Sequence, residues 1–198
     1  MRALCLLVLL ATAPSCDGDP SGTSDAAGCD GQVYAPPQSS AYVLPYPVGT
    51  SYRMNLGNCS SSFHSADGPD RYAYDFGMPI GTPITAAHEG TVVHVEESGR
   101  DGGFPNNLVV VEHDDGTFAQ YMHLTRGGAD VEAGAEVRRG DAIGRSGNTG
   151  LAGTPHLHFV VTTGGWRYPY APVPVTFSNA SPLATVLREG ETYRAAPY

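Results

Sequence analysis

His156 and His158 stand two residues apart in the run Pro155-His156-Leu157-His158-Phe159-Val160-Val161. Successive side chains of a β-strand alternate between faces. Both imidazoles would therefore leave one face, about 7 Å apart at their Cα atoms, while Leu157 and Phe159 enter a core on the other. Two imidazoles so placed can share one site, one ligating a metal and the other facing the water it activates. The pair comes just after the Gly/Ser/Asn-rich run Ser146-Gly147-Asn148-Thr149-Gly150. Upstream, His123 ends the apolar segment before Leu124, and His64 lies in the polar stretch from Ser60 to Asp70. Asp75 sits in Arg71-Tyr72-Ala73-Tyr74-Asp75-Phe76. A carboxylate between aromatics is costly to bury unless it is paired or metal-bound. Two histidines and one carboxylate with an open fourth position form a common catalytic zinc arrangement. His94 and His113 fall in expected strands, the latter just before a turn, and His88 adjoins Glu89; all three read as structural or surface residues.

Such side chains need a sheet to hold them. Thr91–Val95, Leu108–Val111 and Leu157–Val161 are short, β-branched and bounded by turn residues, as strands are. Glu89-Gly90, Asp114-Asp115-Gly116 and Gly102-Gly103 read as hairpin turns. No stretch keeps a helical apolar period for long, although Ser181 to Leu187 suits a turn or two of helix. The expected fold class is all-β and antiparallel, with edge strands from Val173–Phe177 and Gly190–Tyr193.

The bulk composition narrows the function classes. The 198 residues suffice for one well-formed domain. A net charge of −9 argues against nucleic-acid binding, which needs basic clusters, and no basic–aromatic interleaving occurs. All 11 basic residues are arginines. The phrase Gly134-Ala135-Glu136-Val137-Arg138-Arg139-Gly140-Asp141 looks like the turn–strand element of lipoyl and biotinyl modules. Those modules carry their cofactor on lysine, and this chain has none.

The first residues have the pattern of an export signal. Met1-Arg2 precedes an apolar run from Ala3 to Ala13, too short to span a bilayer but suited to the core of a signal peptide. Small residues then lead to Cys16, resembling a bacterial lipoprotein cleavage site, with Pro14 as a departure. Residues 1–15 would be removed and Cys16 would become an acylated N-terminus. Residues 16–42, rich in Asp, Ser, Gly and Pro, would form a flexible tether. Of the 4 cysteines, Cys5 leaves with the signal. With Cys16 lipidated, Cys29 and Cys59 remain as a disulfide pair; closing their loop would contribute roughly 3–4 kcal/mol in the chain-entropy model.

Several motifs together carry a resemblance. They are the Ser146 to Gly150 run with Pro155-His156-Leu157-His158-Phe159, Tyr121-Met122-His123-Leu124, Tyr74-Asp75-Phe76-Gly77-Met78-Pro79-Ile80-Gly81-Thr82-Pro83, and Glu89-Gly90-Thr91-Val92-Val93. In this order they resemble the lysostaphin/LytM-type peptidoglycan endopeptidases, over about residues 50–178. The resemblance implies an antiparallel β-sandwich with a groove holding one zinc ion, spanning residues 43–198, that hydrolyses peptides of the bacterial wall. It places His64, Asp75 and His158 as zinc ligands and His123 and His156 as the catalytic histidines. Together with the export signal, it points to a protein of the cell envelope or periplasm, expected as a monomer whose one membrane contact is a lipid anchor at Cys16, or, with ordinary signal cleavage, as a secreted protein. One spacing departs from the pattern: the best-known members set the first histidine four positions before the aspartate. Here His64 precedes Asp75 by 75 − 64 = 11, so Ser65 to Tyr74 must form a larger loop. No HExxH helix supplies a glutamate base, so the two histidines take that role. The rival is a non-catalytic LytM-like regulator or wall-binding lipoprotein; such members lose ligand or catalytic residues, and all five are kept here.

Overall fold

Short β-branched and aromatic runs, many closed by glycine, proline or an acidic turn, form strands and no α-helix among the described residues. The computed structural model describes residues 27–60 and 62–198; the expected leader, Cys16 and the chain up to residue 26 lie outside them. The strands are β1 (Ser51–Leu56), β2 (Tyr74–Gly77), β3 (Pro83–Thr85), β4 (Gly90–Glu96), β5 (Leu108–Glu112), β6 (Thr117–Met122) and β7 (Leu124–Ala129). They continue as β8 (Glu136–Val137), β9 (Ala142–Ser146), β10 (His156–Thr163), β11 (Ala171–Pro172), β12 (Ala180–Ser181) and β13 (Thr192–Ala195). A ten-stranded sheet runs β12-β13-β1-β2-β10-β6-β5-β4-β8, with β11 beside β10. A smaller sheet runs β3-β9-β7, and every pairing is antiparallel.

Period-two alternation decides which face of the large sheet is apolar. Tyr74 and Phe76 of β2, Leu157 and Phe159 of β10, Tyr121 of β6 and Val109 and Val111 of β5 are fully buried in one cluster. Ile84, Ile143 and Leu124 of the small sheet belong to the same cluster, so the two sheets share one core as a sandwich. Each such side chain contributes about 1.5–3 kcal/mol when taken out of water. The residues between them must leave the opposite face, which places Asp75, His156 and His158 together away from the core.

Two expectations about the C-terminal part need correction. Residues 173–177 form no strand, and beyond Ser181, which closes β12, residues 182–187 make bends without a helical turn. The ladder with β10 ends at Pro172, Pro174 lacks the N–H that would extend it, and Pro182 interrupts the second segment. Of the expected edge strands only the last is present, shifted to β13. The stretch 27–42, read from composition as tether, is fastened to the domain. Cys29 and Cys59 form a disulfide, the Tyr72 hydroxyl donates to Gln32 Oε1 at 2.7 Å, and Tyr34 meets the Tyr72 ring edge-on.

Candidate metal centre and active site

Strand register assembles the site. β10 lies between β2 and β6, and His158 is directly opposite Asp75 on one side and Met122 on the other. Cross-strand partners share a face, so the two polar residues meet: His158 Nδ1 is 2.9 Å from Asp75 Oδ1. His156, two residues earlier on that face, has Nε2 at 3.6 Å from Asp75 Oδ2. His123 comes immediately after Met122, where the chain leaves the large sheet for β7 of the small one. Its φ of +66° lies in the left-handed region and turns its ring back over β10. The His123 and His156 rings are 4.7 Å apart between centroids, and His123 and His158 are 5.7 Å apart. The 57–75 loop brings in His64, whose Nε2 is 3.3 Å from Asp75 Oδ1. The structure thus gathers all five residues singled out in the sequence, and all are buried.

Backbone carbonyls set the tautomers of three rings. Carbonyl oxygens only accept, so the ring nitrogen facing one must carry the proton. Nδ1–H of His64 donates to Gly57 O at 3.1 Å, that of His123 to Thr149 O at 2.7 Å, and that of His156 to Thr154 O at 2.7 Å. Each therefore presents an Nε2 lone pair to the site. The Ser146 to Gly150 run supports His123: Thr149 also bonds Leu124 O and Asn107 N through its hydroxyl. Asn106 Oδ1 accepts from the His123 backbone N–H at 3.0 Å. His158 is the exception, since its Nδ1 faces Asp75.

The donor set fits a divalent zinc ion. Ligand atoms of His64, Asp75 and His158 lie within 4.8 Å of one another, and so do those of His123, His156 and His158. Among the described residues no arginine is within salt-bridge distance of Asp75 or Asp70. The buried negative charge calls for a cation. Burial opposes a charge on His158, but Asp70 and Asp75 outweigh it and push its pKa up to about 10. Burial would also raise Asp75, yet bonds from His158 and His64 hold it well below the usual carboxylate range. His123 moves the other way: burial, reinforced by His158 and His156, pushes it down to about 3 and keeps it neutral.

The cluster lines a groove of about 1120 Å³. Its rim carries Phe63, Phe104, Leu151 and Tyr168, each more than 70% exposed. Arg167 is the one arginine among its lining residues. Sequence reasoning missed Asp70, whose Oδ1 lies 3.3 Å from His158 Nε2 and accepts a hydrogen bond from the Tyr170 hydroxyl. Asp70 stood in the polar stretch already noted, but its partners are 88 and 100 positions away, and only the fold brings them together.

An antiparallel sandwich that gathers histidines and a carboxylate at one groove defines a metallopeptidase-like class, and the chain belongs to Peptidase family M23, whose model matches residues 70–169. It is 34% identical to the peptidoglycan DD-endopeptidase ShyA of Vibrio cholerae over 61% of this chain and 27% of that protein. It is also 34% identical to the glycyl-glycine endopeptidase ALE-1 of Staphylococcus capitis, over 69% of this chain and 32% of the relative. The chain thus spans about a third or less of these relatives' length. The M23 metalloprotease pseudoalterin, from the deep sea, shares the fold at a TM-score of 0.52 and 20% identity, over 72% of this chain and 80% of that one.

Proposed function

We propose that this chain is a zinc metalloendopeptidase that hydrolyses peptides of bacterial peptidoglycan. The observation that carries the reading is the pair of His123 and His156 Nε2 lone pairs turned toward the same space as a three-residue ligand set. His64 Nε2, Asp75 Oδ1 and His158 Nδ1 would hold the ion. Bound zinc would supply Lewis acidity, acidifying water and polarising the scissile carbonyl. The remaining steps belong to the chain. Nε2 of one catalytic histidine accepts the proton of the attacking water and, as the imidazolium so formed, returns it to the departing amine, while the other can donate to the oxyanion once its own Nε2 carries a proton. Thr149 O and Thr154 O keep both rings in the tautomer that can accept. The non-catalytic regulator is disfavoured because none of the five residues is missing or turned away.

The groove favours one kind of bond. Oligoglycine offers neither side chain nor carboxylate, whereas this groove presents a rim of exposed aromatic and aliphatic side chains and a lone arginine. A stem peptide or cross-link bearing alanine methyls and free carboxylates matches that surface better. Digestion of purified wall fragments, with mass identification of the new termini, tests both levels. New termini confined to glycine bridges would reverse the preference, and no cleavage by zinc-loaded protein would end the enzymatic reading. We further propose that the chain is exported, works in the envelope as a monomer and is anchored through lipid on Cys16. Cys16→Ser should then release it from the membrane fraction; equal solubility of both forms would contradict the anchor.

A further inference from the structure

We propose that Asp70 is a positioning residue that holds His158 with Nδ1 turned to the metal position, and that Tyr170 fixes the Asp70 carboxylate in turn. This inference rests on the zinc reading above.

The starting observation is an asymmetry among the four histidines of the site. His64, His123 and His156 each anchor their outward nitrogen on a backbone carbonyl. His158 does not: its two ring nitrogens face carboxylates, Nδ1 that of Asp75 and Nε2 that of Asp70. Its Nε2 is buried and makes no aligned hydrogen bond. A buried donor without an acceptor is destabilising, so a partner is expected on that side of the ring. Asp70 Oδ1 is there at 3.3 Å. The carboxylate has no arginine within salt-bridge distance among the described residues, and its other contact is the Tyr170 hydroxyl. Burial holds the Tyr170 hydroxyl protonated, so it donates and Asp70 accepts.

Asp70 is on the far edge of the imidazole from Asp75, so it supports the ligand rather than joining the ligand set. A carboxylate there fixes the proton on Nε2, leaves Nδ1 free for metal and raises the basicity of that nitrogen. The same reasoning accounts for the enlarged spacing between His64 and Asp75. Within that loop Gly68 N–H bonds Ser65 O, Ala73 N–H bonds Asp70 O, and Cys59 N–H bonds Arg71 O at 2.8 Å. Cys59 is itself bridged to Cys29. The extra residues form a fastened loop that delivers one ligand at its start and the support of another near its end.

The test measures zinc affinity of the full mature chain by competition with a chromophoric chelator, beside imidazole ¹H–¹⁵N spectra of the zinc-loaded protein. Asp70→Ala should weaken zinc by about 10–100-fold and expose the His158 Nε2–H to solvent exchange. Asp70→Asn, whose amide oxygen still accepts but carries no charge, should lose less and keep the Nε2–H signal. Tyr170→Phe should fall between Asp70→Asn and wild type. Should Asp70→Ala not fold, the near-isosteric Asp70→Asn and Tyr170→Phe still decide: both at wild-type affinity would refute the proposal. So would weakened zinc in Asp70→Ala with an unmoved Nε2–H signal, because Asp70 would then act through the loop and His64. A wild-type chain that binds no zinc would refute the metal reading itself, and this inference with it.

Discussion

Two groups of histidines lie in this sandwich, and only one is built to bind a metal. His88 and His113 have ring centroids 4.6 Å apart, as close as His123 and His156 at 4.7 Å. Both rings of the first pair turn Nδ1 to the same carbonyl, Glu89 O, at 2.9 and 2.7 Å. The remaining nitrogen of His113 is buried without a polar partner, and that ring meets Tyr42 edge-on. The Glu89 carboxylate is exposed and reaches His88 only at 3.9 Å. At the groove, by contrast, Asp75 touches three histidines and Asp70 the far edge of one of them. Ring proximity alone therefore does not make a metal site. Converging lone pairs and a buried carboxylate without an arginine partner do.

The strongest way to break the comparison is to remove the carboxylate or a ligand. Asp75→Ala and His158→Ala should lose both zinc, by elemental analysis, and cleavage of wall fragments. His64→Ala should do the same, since only three protein groups would hold the ion in the proposed site. His88→Ala and His113→Ala should leave zinc content untouched. Full zinc in His64→Ala would move the first ligand elsewhere.

The next effect separates ligand from catalyst within the groove. His123→Ala and His156→Ala should keep most of their zinc yet lose about 100-fold or more in cleavage, the usual contribution of a general acid–base group. Undiminished turnover in both variants would end the proposed mechanism.

Protonation sharpens the contrast further. His158 has its pKa raised to about 10, so without metal it carries a proton at neutral pH that zinc must displace. Affinity should therefore rise with pH up to about 10, by roughly tenfold per unit if one proton is released. Calorimetry in buffers of different ionisation enthalpy counts that proton. An affinity independent of pH between 7 and 9 would contradict the charge balance described for the site.

The smallest effect belongs to the second group. Burial holds the His113 pKa below the ordinary value of 6.5. Its neutral form thus contributes stability that is fully present above the unfolded value and is lost as pH falls below it. His113→Asn, which keeps a donor for Glu89 O but cannot titrate, should flatten the pH dependence of unfolding below about 6.5. The change is bounded by one proton, about 1.4 kcal/mol per pH unit. Denaturant melts from pH 7 to 5 would show it, and an unchanged slope would count against a buried neutral His113.

Much of the groove could be read from the chain because strand alternation is local. Tyr74-Asp75-Phe76 and His156-Leu157-His158-Phe159 each show in a few residues which side chains face the core: Tyr74, Phe76, Leu157 and Phe159 join the main cluster, whereas Asp75, His156 and His158 line the groove. The expected runs at 91–95, 108–111 and 157–161 lie within β4, β5 and β10. Pairing order is not local. Nothing near Asp75 states that β2 sits between β1 and β10, and Asp70 has no periodicity to mark it. Residues 173–177 have the apolar, β-branched content of a strand, but Pro174 cannot donate to a ladder and the segment stays irregular.

The backbone of His123 has a consequence for stability. A non-glycine residue held at φ +66° costs on the order of 1–2 kcal/mol relative to glycine, which adopts that conformation freely. The chain accepts this cost at the residue that carries its proposed base, where the strand must turn from one sheet to the other with a ring aimed into the groove. His123→Gly should therefore tolerate heat better than His123→Ala, which keeps the strain and loses the ring, and it could exceed the parent protein. Selection for melting temperature alone would be expected to erase this histidine, so a thermostable variant recovered by such a screen should first be sequenced at position 123.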